Sequence, residues 1–188
     1  KGIGKTRLLR ELGTFARSLG FKTMWGSVDR HGAIGDVRST PYFAFRQILM
    51  ETLHFDPARF DEREIVSALR SYLPDEDADL VPIINHALPA LMLYDTVRTL
   101  SLTPQERNRL LHSLLIRLLS PKRKPVLYLI DNGHRIDPES WALIDSLRSV
   151  PRCCVALATR PILRNVPVEY MELLESDEVD VVQVSELE

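Results

Sequence analysis

Two cysteines in 188 residues, side by side at positions 153 and 154, exclude a disulfide-stapled scaffold. They sit inside the apolar run CCVALAT. Neighbours on a strand point to opposite faces, so they are poorly placed to bridge each other or to grip one metal, and burial as small hydrophobes is expected for both. No further Cys or His cluster has ligand spacing, which argues against zinc. An excess of one charge is also missing. With 24 basic and 26 acidic side chains the formal net charge is -2, so no global field draws the chain to nucleic acid or to an anionic membrane. No stretch approaches the roughly 18 to 20 apolar residues of a membrane span, and no charged-then-apolar leader opens the sequence. The expectation is a cytoplasmic chain with no membrane partner and no direct nucleic-acid contact. Internal repeats and low-complexity segments are absent too.

What is present is a 45% hydrophobic chain long enough for one sizeable core, read as a single domain over 1–188 with a helical excursion at about 42–120. From Lys5 to Leu19, Leu8, Leu9, Leu12, Phe15, Ala16 and Leu19 recur at three and four residues, and Gly20 stops the helix. FKTMWGSV (21–28) reads as a strand, and Asp29 to Thr40 as a surface loop. Ser39 or Thr40 before Pro41 predicts an N-cap and first-turn proline opening a helix through YFAFRQILMETL. Short helices follow, EREIVSALRSYL among them, with Pro82 and Pro89 confining the apolar stretch 77–93 to short pieces. Thr103-Pro104-Gln105-Glu106 is a capping box that introduces NRLLHSLLIRLL. PVLYLID (125–131) is an apolar run of the kind buried on both faces of a parallel sheet. Asp137-Pro138-Glu139-Ser140 starts another helix, RCCVALATRP (152–161) is a second buried strand, EYMELLES a short helix and VDVVQVSEL (179–187) a further strand candidate. Strands alternating with helices imply a doubly wound α/β sheet.

The chemistry sits at punctuation points of this pattern. Gly2-Ile3-Gly4-Lys5-Thr6-Arg7 carries the second half of G-x-x-x-x-G-K-[ST], in which glycines leave backbone N–H groups open to a phosphate, the lysine reaches the β- and γ-phosphates and the hydroxyl holds Mg2+. The first glycine and its strand fall outside the sequence, so the expectation is a P-loop fold truncated at its N-terminal edge. A glycine turn before an ordinary helix is the alternative. LYLID then supplies a buried strand ending in Asp131, the acid that completes such a site by holding the metal; a strand ending in an N-cap aspartate is its bland counterpart. The position after the metal acid often carries a second acid that polarises the attacking water, and here it is Asn132. An amide orients water without accepting its proton, so slow hydrolysis is expected. His134 is a conceivable substitute, although a solvent-facing or helix-capping histidine is the simpler reading. Thr159 and Arg160 end the next strand at the carboxyl edge where open parallel sheets bind ligands, placed to sense and pair with a γ-phosphate, or simply to lead into a turn at Pro161. Lys122-Arg123-Lys124 reads as a solvated loop.

Several stretches are familiar together. STPYFAFRQIL, LVPIINHALP, the Asp-x-x-His-x-x-Asp-Pro-Glu-Ser-Trp string from Asp131 to Trp141, VALATRP and PVEYMELL, in this order, resemble the ATPase module of soluble adenylyl cyclase-like proteins. That module belongs to the AAA+/STAND group of P-loop NTPases related to origin-recognition ATPases. The resemblance implies a three-layer sandwich around a parallel sheet, ATP and Mg2+ as ligands, and a nucleotide-dependent regulatory or assembly switch, while Asn132 limits the expectation for turnover to a weak ATPase. It also implies a class III cyclase domain upstream, helical repeats downstream and a capacity to oligomerise. Carried over by position, Gly2, Gly4, Lys5 and Thr6 match the phosphate loop, Asp131 the metal acid, and Thr159 and Arg160 the sensor-like strand end. The pair that is frequently acidic in the family is Asp131-Asn132 here, and no cyclase motif is visible. The rival expectations are an interaction scaffold with structural ATP and the NTPase half of a STAND-type transcription regulator.

Overall fold

The computed structural model describes residues 4–28, 41–56, 59, 61–162 and 166–184. The chain falls into two compact units, one of residues 1–45 and 121–188 and one of 46–120. The first holds the sheet. Helix α1 (Lys5–Ser18) ends in a Schellman motif: the Gly20 amide donates to Arg17 O and the Phe21 amide to Ala16 O, with Gly20 at φ 87. Strand β1 (Lys22–Ser27) follows.

The second unit is helical. It comprises α2 (Arg46–Thr52), α3 (Glu62–Arg70), a 3-10 stretch Asp75–His86 containing Pro82, a 3-10 turn Pro89–Leu91, α4 (Val97–Ser101) and α5 (Pro104–Leu119). The predicted capping box forms at α5, where Thr103 Oγ1 accepts from the Glu106 amide and the Glu106 carboxylate accepts from the Thr103 amide at 2.9 Å. The Thr103 hydroxyl, which donates to the same carboxylate at 2.7 Å, and then the Thr103 amide hold the Glu106 carboxyl below its ordinary range. Arg98 ties this unit locally through Asp77 (2.7 Å) and Asp79 (3.0 Å).

The chain returns to the first unit as β2 (Val126–Asp131), α6 (Pro138–Arg148), β3 (Cys153–Leu157) and α7 (Val168–Glu175). The fold is α/β with an all-parallel sheet of order β1-β2-β3. Register pairs Ser27 with Asp131 and Ile130 with Leu157, so the carboxyl ends of all three strands lie level. Residues 126–130 of β2 are buried, as the apolar run requires. Alternate β2 side chains serve two layers. Leu127 and Leu129 pack with Leu9 and Ala16 of α1, while Tyr128 meets Phe45 edge to face at 6.3 Å. Gly13 lets α1 approach closely, since a Cβ there would lie 2.7 Å from Leu129 Cδ1. On the other side of the sheet, α6 packs on β3 and near the 3-10 turn Phe43–Phe45, with Trp141 edge-on to Tyr170 at 5.3 Å.

Three expectations need correction. Pro41 opens no helix: Tyr42 is left-handed (φ 56), a 3-10 turn Phe43–Phe45 follows and α2 begins only at Arg46. The amides of Tyr42 and Phe43 are capped by Asp137, a residue far along the chain (2.9 and 3.0 Å), which local pattern cannot reveal. Residues 179–184 form no strand, and Val181 and Val182 stay exposed because no neighbouring strand pairs with them among the described residues. Finally, only Cys153 is buried; Cys154 faces outward on β3, as strand alternation demands. The expected loop 29–40, with Ser39 and Thr40, lies outside the described residues. Lys122 to Lys124 are exposed, as read.

Burial pushes the Cys153 thiol up to about 12, with the neighbouring Cys154 adding to the effect. A maleimide at pH 8 is therefore expected to modify Cys154 in the native protein and Cys153 only on unfolding, read by peptide mass; equal native labelling contradicts this packing. Burial likewise raises Tyr42 to about 12. The folded values exceed the unfolded 9.0 for the thiol and 10.0 for the phenol, so this burial contributes stability that is complete below about pH 9 and lost as pH climbs towards 12. Denaturation midpoints measured between pH 8 and 11.5 should fall accordingly.

Candidate nucleotide site

The start of α1 and the end of β2 meet. Thr6 Oγ1 donates to Asp131 Oδ2 at 2.7 Å across 125 positions of sequence, and both side chains are half-buried. The other carboxylate oxygen, Oδ1, accepts the Asn132 amide at 2.8 Å. Gly4 caps α1 at φ 90 with nothing within 4 Å of a would-be Cβ, so its conformation and not crowding requires glycine. The Leu8 amide closes the first helical bond on Gly4 O at 2.9 Å, which leaves the Lys5, Thr6 and Arg7 amides without an intrahelical acceptor. No acid stands in the first turn of α1, so its positive end is not neutralised locally. Lys5 is half-buried at this end and Arg7 is exposed. Gly2 and Ile3 lie outside the described residues.

Beyond Asp131 the chain turns sharply. Asn132 is left-handed (φ 62, ψ 39), a conformation that asparagine tolerates better than most residues. A 3-10 turn Gly133–Arg135 follows, and the Gly133 amide donates to Ala158 O at 2.9 Å. A Cβ on Gly133 would lie 2.8 Å from Leu157 Cδ1 and 3.0 Å from Thr159 Cβ. The turn thus seats directly on the end of β3. Thr159, half-buried, donates its hydroxyl to Arg160 O at 2.8 Å, and Arg160 is exposed. His134 is half-buried in the turn instead of solvent-facing.

The structure therefore gathers Thr6, Asp131, Asn132 and Thr159 at one sheet edge, with Lys5 beside Thr6 on α1. Two contributors escape sequence reading: Gly133 and the Ala158 carbonyl. The glycine two residues past the strand-ending acid was the available signal, because a glycine there marks close backbone approach. Thr6 and Asp131 are hard oxygen donors in contact, a set that suits Mg2+, which takes one or two protein ligands and completes its shell with water and phosphate. Among the described residues no group of three or more His, Cys, Asp or Glu gathers, so an all-protein metal cage is not what this edge offers.

Residues 1–155 match the family described as the AAA ATPase domain, and the chain belongs to that family. It is a nucleotide-binding P-loop NTPase module, and the all-parallel sheet with its helices agrees. No curated protein and no solved structure gives a match to the chain. No described helix is long and apolar enough to cross a membrane.

Gly133→Ala is expected to lower stability by about 1–3 kcal/mol, because the methyl group must displace the Leu157 side chain or the turn itself. Urea denaturation checks this; an unchanged midpoint would show that the turn does not sit against β3.

Proposed function

We propose that the chain is an ATP/Mg2+-binding regulatory module that changes conformation with nucleotide state and hydrolyses ATP slowly. The Thr6–Asp131 hydrogen bond carries the reading, because it joins the hydroxyl and the carboxylate that a P-loop site needs at one metal position. Gly2, Ile3, Gly4, Lys5, Thr6 and Arg7 supply the phosphate-facing loop, and Thr6 and Asp131 would hold Mg2+. The metal, when bound, supplies charge neutralisation on the phosphates. Lys5 adds a second positive charge, and Arg160 with Thr159 stands at the strand end where a γ-phosphate is sensed. Asn132 positions water but takes no proton, and its backbone amide is already committed to Asp131. Slow turnover follows.

The resemblance to soluble adenylyl cyclase-like proteins supports a place within a larger cytoplasmic signalling protein, with a cyclase domain before this module and helical repeats after it. Self-association is in keeping with the AAA family. Asn132 also supports a second reading, in which ATP is bound and retained as a structural ligand of an interaction scaffold.

In the natural protein, ATP with Mg2+ at about 100 times its Kd is expected to stabilise by about 2.7 kcal/mol in a melting assay. Lys5→Ala should abolish most of that shift. Absence of any shift in the parent protein would overturn nucleotide binding. Single-turnover release of phosphate, lost in Asp131→Ala, separates slow hydrolysis from retention.

A further inference from the structure

Asp137 is fully buried, and its carboxylate accepts four hydrogen bonds from two places in the chain. Oδ1 takes the Tyr42 amide at 2.9 Å and the Ser140 amide at 2.8 Å; Oδ2 takes the Phe43 amide at 3.0 Å and the Ser140 hydroxyl at 2.7 Å. An N-cap needs only the Ser140 contacts. The Tyr42 and Phe43 contacts exceed that role, and they fix the far end of the connection that starts at Asp131.

That connection is short and continuously bonded. Asn132 donates to Asp131 Oδ1, Gly133 to Ala158 O, Arg135 to Asn132 O (3.0 Å) and Ile136 to Gly133 O (3.1 Å), while Ile136 is buried beside Asp137. A left-handed residue other than glycine is uncommon, although asparagine adopts it more readily than most, and the bonds around it select it. Asn132 is such a residue, and its amide aims the carboxylate of Asp131.

We propose that Asp137 is a positioning residue for the metal-facing carboxylate: by tethering residues 132–136 to the amides of Tyr42 and Phe43, it keeps Asn132 left-handed and so holds Asp131 in the orientation that Mg2+ requires. The proposal rests on the nucleotide-binding reading and adds to it a residue outside the phosphate loop and the metal pair. By linkage, Mg2+ and ATP bound at Thr6 and Asp131 suppress opening of the tether, which places the Tyr42–Phe43 turn under nucleotide control.

The variant that tests this is Asp137→Ser, which keeps a hydroxyl to cap the Ser140 amide but is too short to hold the Tyr42 and Phe43 amides as well. ATP affinity is measured in the natural protein by calorimetry, in EDTA and in Mg2+. In the parent, Mg2+ strengthens binding; in Asp137→Ser, affinity in EDTA stays within about twofold while the gain from Mg2+ shrinks by about fivefold or more. Hydrogen exchange at the Tyr42 and Phe43 amides slows on adding ATP and Mg2+ to the parent and does not respond in the variant. If Asp137→Ser does not fold, Asp137→Asn serves, since it keeps one acceptor oxygen and loses the other; it should give a smaller change of the same kind. Equal loss in EDTA and Mg2+ would reduce Asp137 to a stabilising cap, and an unchanged Mg2+ gain would remove it from the site. Both overturn the proposal. A parent protein that binds no ATP under either condition instead defeats the nucleotide reading itself, and the inference falls with it.

Discussion

A carboxylate taken out of water must find donors, and Asp137 finds them on two segments that sequence keeps far apart. Half of its acceptor capacity starts α6, and the other half captures the amides at the entry to the 3-10 turn Phe43–Phe45. Leaving any of those buried amides unpaired costs about 1–3 kcal/mol, so the two segments are held together by the accounting of polar groups as much as by apolar contact. Phe45 is thereby delivered onto Tyr128, on the sheet face opposite α1.

The sheet edge is built on the same principle of shared constraints. Parallel pairing in register sets Ser27, Asp131 and the end of β3 level, and β2, buried on both faces, cannot slip without exposing its whole apolar run. Gly13 brings α1 close to β2, which carries Thr6 to Asp131. Gly133 then allows the chain leaving Asp131 to rest on Leu157 and Thr159. Two missing side chains thus place two functional ones.

Much of this was legible in advance because the signals were local. Helical spacing with a glycine stop marked α1, the capping box marked α5, and an apolar run closed by an acid marked β2. The Pro41 reading failed because a proline after a hydroxyl residue is an ordinary helix start, whereas here Tyr42 is left-handed and its amide bonds the distant Asp137 carboxylate. The segment after α7 failed for a related reason: apolar β-branched residues have strand propensity, but a strand exists only where another pairs with it. Cys154 shows the limit of composition, since a cysteine in an apolar run still alternates with the strand.

The sequence by itself determined the phosphate-loop residues, the acid at the end of β2, the α/β alternation and the amide in place of a second acid, because each is a choice of residue type within a short window. Tertiary structure alone decided that Thr6 touches Asp131, that Asn132 is left-handed with its amide spent on that acid, and that Asp137 spans two segments. The Thr6 and Asp137 contacts join residues up to 125 positions apart, and such distances are set by parallel register, close glycine packing and the need of buried polar groups for partners.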